Sequence, residues 1–249
     1  MKPPRWLALI GYAFWRPWLR RRLGRVVVED VEGVSLVVLP RVFNPAVFRS
    51  GRFLARTLAT SPELAPAAGG RALDLGTGSG VGAVFAARRG WTVVAADVNP
   101  DAVRCARINA LLNGFEERIE AREGDLFAPV AGERFDLVVF NPPYFRGEAR
   151  DALDAAWRGR GVLERFAEGL ASALAPGGRG LVVFSSDGDE ESLLALLKEN
   201  GFRAAVLARL EYGTETLTAY LAEGGLALAS VEDGKIQASS CIIPAVEIP

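Results

Sequence analysis

No histidine occurs anywhere in the 249-residue sequence. That removes histidine triads, histidine general bases and the usual catalytic zinc sites from consideration. Cysteine is nearly absent too: Cys105 and Cys241 stand far apart and form no C-x-x-C pair. Structural zinc, iron–sulfur clusters and a disulfide scaffold are therefore disfavoured, and a reducing cytoplasm is the default compartment. No apolar run approaches the roughly 18 residues needed to cross a bilayer, so no transmembrane segment is expected. What remains is a chain that is 50% hydrophobic and 24% charged. It is too apolar for disorder, and long enough for one substantial domain with at most a small appendage.

The formal net charge of −1 conceals an uneven distribution. Residues 1–25 hold seven cations and no acid, leaving −8 to the rest. Trp6, Tyr12, Phe14, Trp15 and Trp18 lie in the same stretch. Clustered arginines with interleaved aromatics suit phosphates and stacked bases. A basic amphipathic helix on a membrane or partner surface, and an arm packed on the domain, are the other readings. Pro17 breaks or kinks any helix here. The reading carried forward is RNA contact through this N-terminal arm.

From Arg71 onward strand and helix signals alternate, the pattern of a parallel sheet wrapped by helices. Arg71–Leu75 reads as a strand that runs into the glycine-rich turn Gly76–Gly82. A second strand covers Thr92–Ala96 and closes on Asp97, with Asn99 an N-cap and Pro100 in the first helical turn. Ile119–Glu123 is a third strand, followed by Gly124-Asp125-Leu126-Phe127. Phe135–Phe140 is a continuous apolar run, as expected of a strand buried on both faces. It stops at Asn141-Pro142-Pro143-Tyr144, where two prolines cannot extend a sheet. Helices over Val162–Leu174 and Glu190–Glu199 flank a strand at Gly180–Phe184. Arg203–Leu210 and Thr216–Leu221 form a closing antiparallel hairpin. The expected fold is α/β and Rossmann-like: a doubly wound, seven-stranded, mostly parallel sheet with an antiparallel end strand. Residues 1–34 read as an extension, 35–222 as the principal domain, and 223–249 as a tail or small hairpin.

The turn Asp74-Leu75-Gly76-Thr77-Gly78-Ser79-Gly80 sits where a strand end meets a helix start. Glycines there let a backbone approach a ligand, and the helix start offers free N–H groups. Asp97 ends the next strand, where a carboxylate can take both hydroxyls of a ribose, with Val98 beside it. Asp125 and Leu126 follow the third strand and suit the edge and face of an adenine. A second reading fits the turn equally well. Gly78-Ser79-Gly80-Val81-Gly82-Ala83 satisfies the relaxed dinucleotide fingerprint, with Asp97 on the ribose of a nicotinamide cofactor. A nicotinamide-dependent oxidoreductase and an inactive cofactor-fold binding module stay open on the turn alone.

Asn141-Pro142-Pro143-Tyr144 lies on the same rim. Methylating an amide or exocyclic amine is difficult because the nitrogen lone pair is delocalised. An Asn side-chain oxygen and a proline-stiffened carbonyl, both aimed at the N–H groups, draw the nitrogen toward a lone-pair-available geometry. An aromatic ring can stack on the planar acceptor and hold it in line. Most of this catalysis is positioning and charge placement, and it needs no histidine.

The order DLGTGSG, a strand ending in Asp97, GDLF and NPPY resembles the class I S-adenosylmethionine-dependent methyltransferases. Within them it is similar to the amino-methylating branch of HemK/PrmC protein-glutamine enzymes and adenine-N6 or guanine-N2 enzymes. The likeness covers about residues 35–222, and the stretch Ala156–Gly161 with Leu163–Phe166 is also similar to HemK-like enzymes. It implies S-adenosyl-L-methionine as cofactor. Asp74, Gly76, Thr77, Gly78 and Gly80 would face its methionine part. Asp97 would hold the ribose, Asp125 and Leu126 the adenine, and Val98 is a further cofactor contact. Asn141 would touch both cofactor and acceptor, with Pro142 and Tyr144 catalytic beside it. Phe43, Asn44 and Pro45 resemble the segment that lids the cofactor, and Ser50 is a further pocket candidate. PrmC-type enzymes carry a helical N-terminal substrate domain that the residues before this core are too few to build. The shorter layout is closer to archaeal and eukaryotic HemK-like forms and small RNA methyltransferases. The acceptor is a protein glutamine or an RNA or DNA base.

Overall fold

The computed structural model describes residues 22–143, 161–213, 215–224 and 246–247. Residues 1–21, and with them most of the basic arm, lie outside these, as do Tyr144, Ala156–Arg160 and most of the expected C-terminal tail.

An antiparallel hairpin comes first: β1 (Val27–Val31) pairs with β2 (Val34–Val38). Its turn is Glu32-Gly33, both at positive φ, as a two-residue hairpin turn demands. This hairpin crosses position 34, the expected edge of the extension, and Val31 is as buried as Val34 and Leu36. Helix α1 (Arg49–Thr60) follows, burying Phe53, Leu54, Thr57 and Leu58 along one face.

The main sheet then forms from β3 (Arg71–Leu75), β4 (Thr92–Asp97), β5 (Ile119–Glu123), β6 (Phe135–Phe140), β7 (Leu174–Ser185), β8 (Phe202–Tyr212) and β9 (Glu215–Gly224). A two-residue strand, β10 (Val246–Glu247), adds to the edge beside β8. Spatial order is β10-β8-β9-β7-β6-β3-β4-β5. Strands β3 to β7 run parallel, and β9 is the strand that reverses, against β7 on one side and β8 on the other. The seven-stranded, mostly parallel Rossmann-like sheet expected from the sequence is the one observed.

Helices α2 (Val81–Arg88), α3 (Pro100–Leu112), α4 (Val162–Ala173) and α5 (Glu190–Glu199) complete two covering layers. The sheet's residues divide strictly between them. Ala72, Val93, Leu137 and Leu181 pack with α1, α2 and α3 on one face. Their sequence neighbours Leu73, Val94, Val138 and Val182 pack with α4 and α5 on the other. Alternation across a doubly covered sheet explains why the central strands β4 and β6 read as near-continuous apolar runs. Each such Leu or Val contributes about 1.5–3 kcal/mol of burial.

Strand β7 begins earlier than the Gly180 start expected. Leu174 pairs with Phe135, whereas Arg179 pairs with Leu137. Pro176-Gly177-Gly178 is therefore looped out within the strand's first half. Gly178 is required there, because a Cβ would lie 2.7 Å from the Phe135 carbonyl oxygen.

Candidate functional site

Register alone assembles the site. Leu75 pairs with Ala96 and with Phe140, and Asp97 pairs with Glu123. The residues that follow each strand, Gly76, Val98, Gly124 and Asn141, are therefore neighbours along one carboxyl-end rim.

The turn at the centre is built on left-handed glycines, with Gly76 at φ 58°, Gly78 at 55° and Gly80 at 81°. A Cβ on Gly80 would lie 2.9 Å from the Ala106 Cα of α3. Beneath the turn lies Asp74, 3% exposed. Its Oδ2 accepts from the Thr77 hydroxyl at 2.6 Å and from the Ala83 N–H at 2.9 Å. Gly82 leaves room for that carboxylate, since a Cβ would sit 2.5 Å from Oδ1. Burial raises the Asp74 carboxyl to about 6, against the pull of Thr77 and Ala83 and with a further push from the Asp97 charge. Thr77 and Ala83 thus tie Asp74 to the turn, and Asp74, Thr77 and Gly80 are not among the residues that line the cleft beside it.

Gly76 and Gly78 floor that cleft, with Asp97 and Val98 at the end of β4 forming one side. Asp125 and Leu126 after β5, and Asn141 and Pro142 after β6, complete it. Eight of the expected site residues are brought together in this way; Tyr144 lies outside the described residues. Asp97 Oδ2 accepts from the Gly78 N–H at 2.9 Å and Oδ1 from the Asn99 N–H at 2.8 Å. Burial raises its carboxyl above the ordinary range, opposed by those two N–H donors and that of Val98. Each carboxylate oxygen has two lone pairs, so these N–H contacts leave acceptor capacity for a ligand hydroxyl. Val98 is 60% exposed, an apolar face open to a planar ligand.

Asp125 is held by an ion pair with Arg165 of α4. Three non-glycine residues among those described have positive φ, and two of them, Arg41 and Leu126, line the cleft. Backbone strain of this kind collects at ligand sites. Asn141 Nδ2 donates to Ser50 Oγ at 3.3 Å, bringing the start of α1 to the rim. Sequence reasoning named Phe43 and Ser50 and missed Arg41, Val42, Phe140 and Val162, which also line the cleft. Arg41 and Val42 carry no signal beyond adjacency to Phe43. Phe140 ends a buried strand and is indistinguishable from core.

The cleft fits a nucleoside-bearing cofactor. A Cβ on Gly76 would stand 3.6 Å from the Phe140 ring, and one on Gly78 would stand 3.5 Å from the Phe43 Cβ. Side chains there would fill the floor. No group of three or more candidate metal ligands exists among the described residues.

The family model for the methyltransferase small domain matches residues 34–208. The chain belongs to this family. It is an S-adenosylmethionine-dependent N-methyltransferase, and the oxidoreductase alternative falls away. A Methanocaldococcus jannaschii protein, named a candidate protein N5-glutamine methyltransferase, is 32% identical over 77% of this chain and 96% of its own length. The release factor glutamine methyltransferase of Rhodospirillum rubrum is 38% identical over 53% of this chain, which spans 45% of that longer protein. Among solved structures, the Thermus thermophilus 16S rRNA N2 G1207 methyltransferase in complex with AdoMet and guanosine superposes with a TM-score of 0.59. It is 25% identical, covering 81% of this chain and 50% of that one.

Proposed function

We propose that this methyltransferase acts on the side-chain amide nitrogen of a glutamine in a protein acceptor. The observation that carries this reading is the presence of Asn141 and Pro142 on the same cleft as Asp97. The near full-length match to the M. jannaschii relative supports glutamine over a base.

Bound on the glycine turn, the cofactor supplies a methyl group on a positively charged sulfur. Everything else falls to the chain's own residues. Asp97 would hold the ribose hydroxyls while Gly78 and Asn99 keep its carboxylate in place. Val98 and Leu126 would sandwich the adenine, with Asp125, steadied by Arg165, at its edge. Asn141 Oδ1 and the Pro142 carbonyl would accept the two N–H bonds of the substrate amide. Holding both N–H groups fixes the nitrogen and favours the tetrahedral geometry it adopts as the N–C bond forms and the donor's S–C bond breaks, after which one of the two held protons leaves to water. Tyr144 would stack on the amide plane.

The seven cations and five aromatics of residues 1–25 support a second element of the proposal, RNA contact by the arm beside this acceptor. Cytoplasmic residence belongs to the same reading, because the free, buried Cys105 thiol suits a reducing compartment. No helix among the described residues is long and apolar enough to cross a membrane.

The test is tritium transfer from labelled cofactor into total protein and total RNA of the source cell. Label in protein, recovered as N5-methylglutamine after digestion, is expected; label in RNA alone rejects the glutamine acceptor. Removing residues 1–21 should weaken RNA affinity and flatten its salt dependence. An unchanged salt slope rejects the RNA contact.

A further inference from the structure

The segment between β2 and α1 forms one wall of the cofactor cleft, and a buried charge holds that wall. Phe43 stands beside the glycine turn, against the position a Gly78 side chain would take. Its ring stacks on Phe48 at 5.0 Å. Asn44, fully buried, shapes the backbone between these two rings. Its Oδ1 accepts from the Ala46 and Val47 N–H groups at 2.9 and 3.1 Å. Pro45 packs so closely on α1 that a Cβ at Gly51 would be 2.5 Å from its own Cβ.

What fixes Asn44 comes from the hairpin. Its Nδ2 donates to Glu29 Oε1 at 2.8 Å. Glu29 faces inward from β1, 5% exposed, in the alternation that also buries Val31. Amphipathic patterning calls for an apolar residue at that position. Instead the carboxylate is clamped by Arg22, through Nε at 3.0 Å and a terminal nitrogen at 2.6 Å. Burial tends to raise the Glu29 carboxyl. The hydrogen bonds of Arg22 and Asn44, with the charges of Arg22 and Arg52, outweigh it and keep the group ionised. A second strap runs in parallel, where the Leu23 carbonyl accepts from the Arg41 N–H at 3.3 Å. A buried ion pair adds little net stability compared with apolar packing, so stability alone gives weak reason for Glu29.

We propose that Glu29 is a positioning residue for the cofactor cleft. It joins Arg22, where the basic N-terminal segment enters the domain, to Asn44 and thereby to the Phe43 wall. The state of that segment is in this way coupled to cofactor affinity. The inference concerns the methyl donor's side of the site and is independent of which acceptor is methylated.

The test uses the full chain, with S-adenosylhomocysteine titrated calorimetrically and cofactor KM and kcat measured separately. Glu29→Ala should raise both the dissociation constant and the cofactor KM about tenfold, equivalent to the loss of one well-made charged hydrogen bond. Its kcat at saturating cofactor should stay within about twofold, because the acceptor residues are untouched. Glu29→Gln keeps an oxygen for Asn44 and should recover most of the affinity. Hydrogen exchange at residues 42–48 should quicken in Glu29→Ala and not in Glu29→Gln. A lowered melting temperature with unchanged cofactor affinity in Glu29→Ala overturns the proposal. Should Glu29→Ala fail to fold, Arg22→Ala decides alone: weaker cofactor binding supports the coupling, and unchanged binding overturns it.

Discussion

Asn141 and Ser50 are 91 positions apart, yet the Asn141 side-chain amide donates to the Ser50 hydroxyl at 3.3 Å. This contact helps to orient the Asn141 amide, and it ties the end of β6 to the start of α1. Ser50→Ala should lower kcat about fivefold to tenfold with S-adenosylhomocysteine affinity unchanged, the effect of loosening one positioned group. Asn141→Ala removes the group itself and should lower kcat on the order of 10²–10³-fold, as loss of one transition-state contact does. Steady-state kinetics beside calorimetry separates the two; normal turnover in Asn141→Ala would reduce the motif to a turn.

Asp97 serves the turn and the cleft at once, through Gly78 and Asn99 on one side and the expected ribose on the other. Asp97→Ala should weaken S-adenosylhomocysteine binding by about 1.5–3 kcal/mol or more. Unchanged affinity by calorimetry rejects the placement of the ribose.

Asp74 makes stability depend on pH in an uncommon direction. Its carboxyl rises from an ordinary 3.8 to about 6 in the folded chain, with burial the largest cause. Between those values the folded state binds more proton than the unfolded state. The native state therefore gains stability as the pH falls through about 6, and the gain is complete near the unfolded value. The ionised carboxylate above pH 6 carries a penalty on the order of 3 kcal/mol. The melting temperature of the wild type, relative to Asp74→Asn at each pH, should climb between about pH 7 and pH 5. A flat difference across that range counts against the buried charge.

Two left-handed glycines separate strain from crowding. A Cβ added at Gly80, φ 81°, would lie 2.9 Å from the Ala106 Cα, whereas one added at Gly177, φ 77°, would meet nothing within 4 Å. Gly177→Ala should cost about 1–2 kcal/mol, the backbone term alone. Gly80→Ala adds an overlap with α3 backbone and should cost about 2–5 kcal/mol. Urea denaturation of both variants measures the difference, and equal losses would mean that α3 yields freely.

The strands that frame the site were legible because β3 and β6 are buried on both faces, β5 alternates, and each runs into glycine, proline or an acid. Arg71–Leu75, Ile119–Glu123 and Phe135–Phe140 stand at the residues expected. The β1–β2 hairpin was not legible, because Glu29, Asp30 and Glu32 interrupt its valines and it follows directly on the basic arm. Pro176-Gly177-Gly178 reads locally as a turn before the strand at Gly180. Only the pairing of Leu174 with Phe135 makes it an interruption inside β7. In the site, residues that follow a strand were legible from local sequence. The ion pair of Arg165 with Asp125, 40 positions apart, and the bond from Asn44 to Glu29 were not. Such contacts depend on which elements tertiary packing brings side by side. The sequence places Asp74 toward the ligand, and no local signal shows that its Oδ2 accepts from Thr77 and Ala83.

The reversed strand β9 also bears on how the chain finds this fold. Tyr212 pairs with Glu215 across a tight turn, and the pairing runs out to Phe202 and Gly224 without leaving the local chain. The centre of the sheet is different: Ala72 must meet Leu137, closing a loop that contains α2, β4, α3 and β5. Short loops close at smaller entropic cost than long ones, and parallel pairings of high sequence separation form slowly. Pulse-labelled hydrogen exchange during refolding is therefore expected to show β8 and β9 protected before β3 and β6. The cleft straddles the late pairing, so it is among the last features of the molecule to exist.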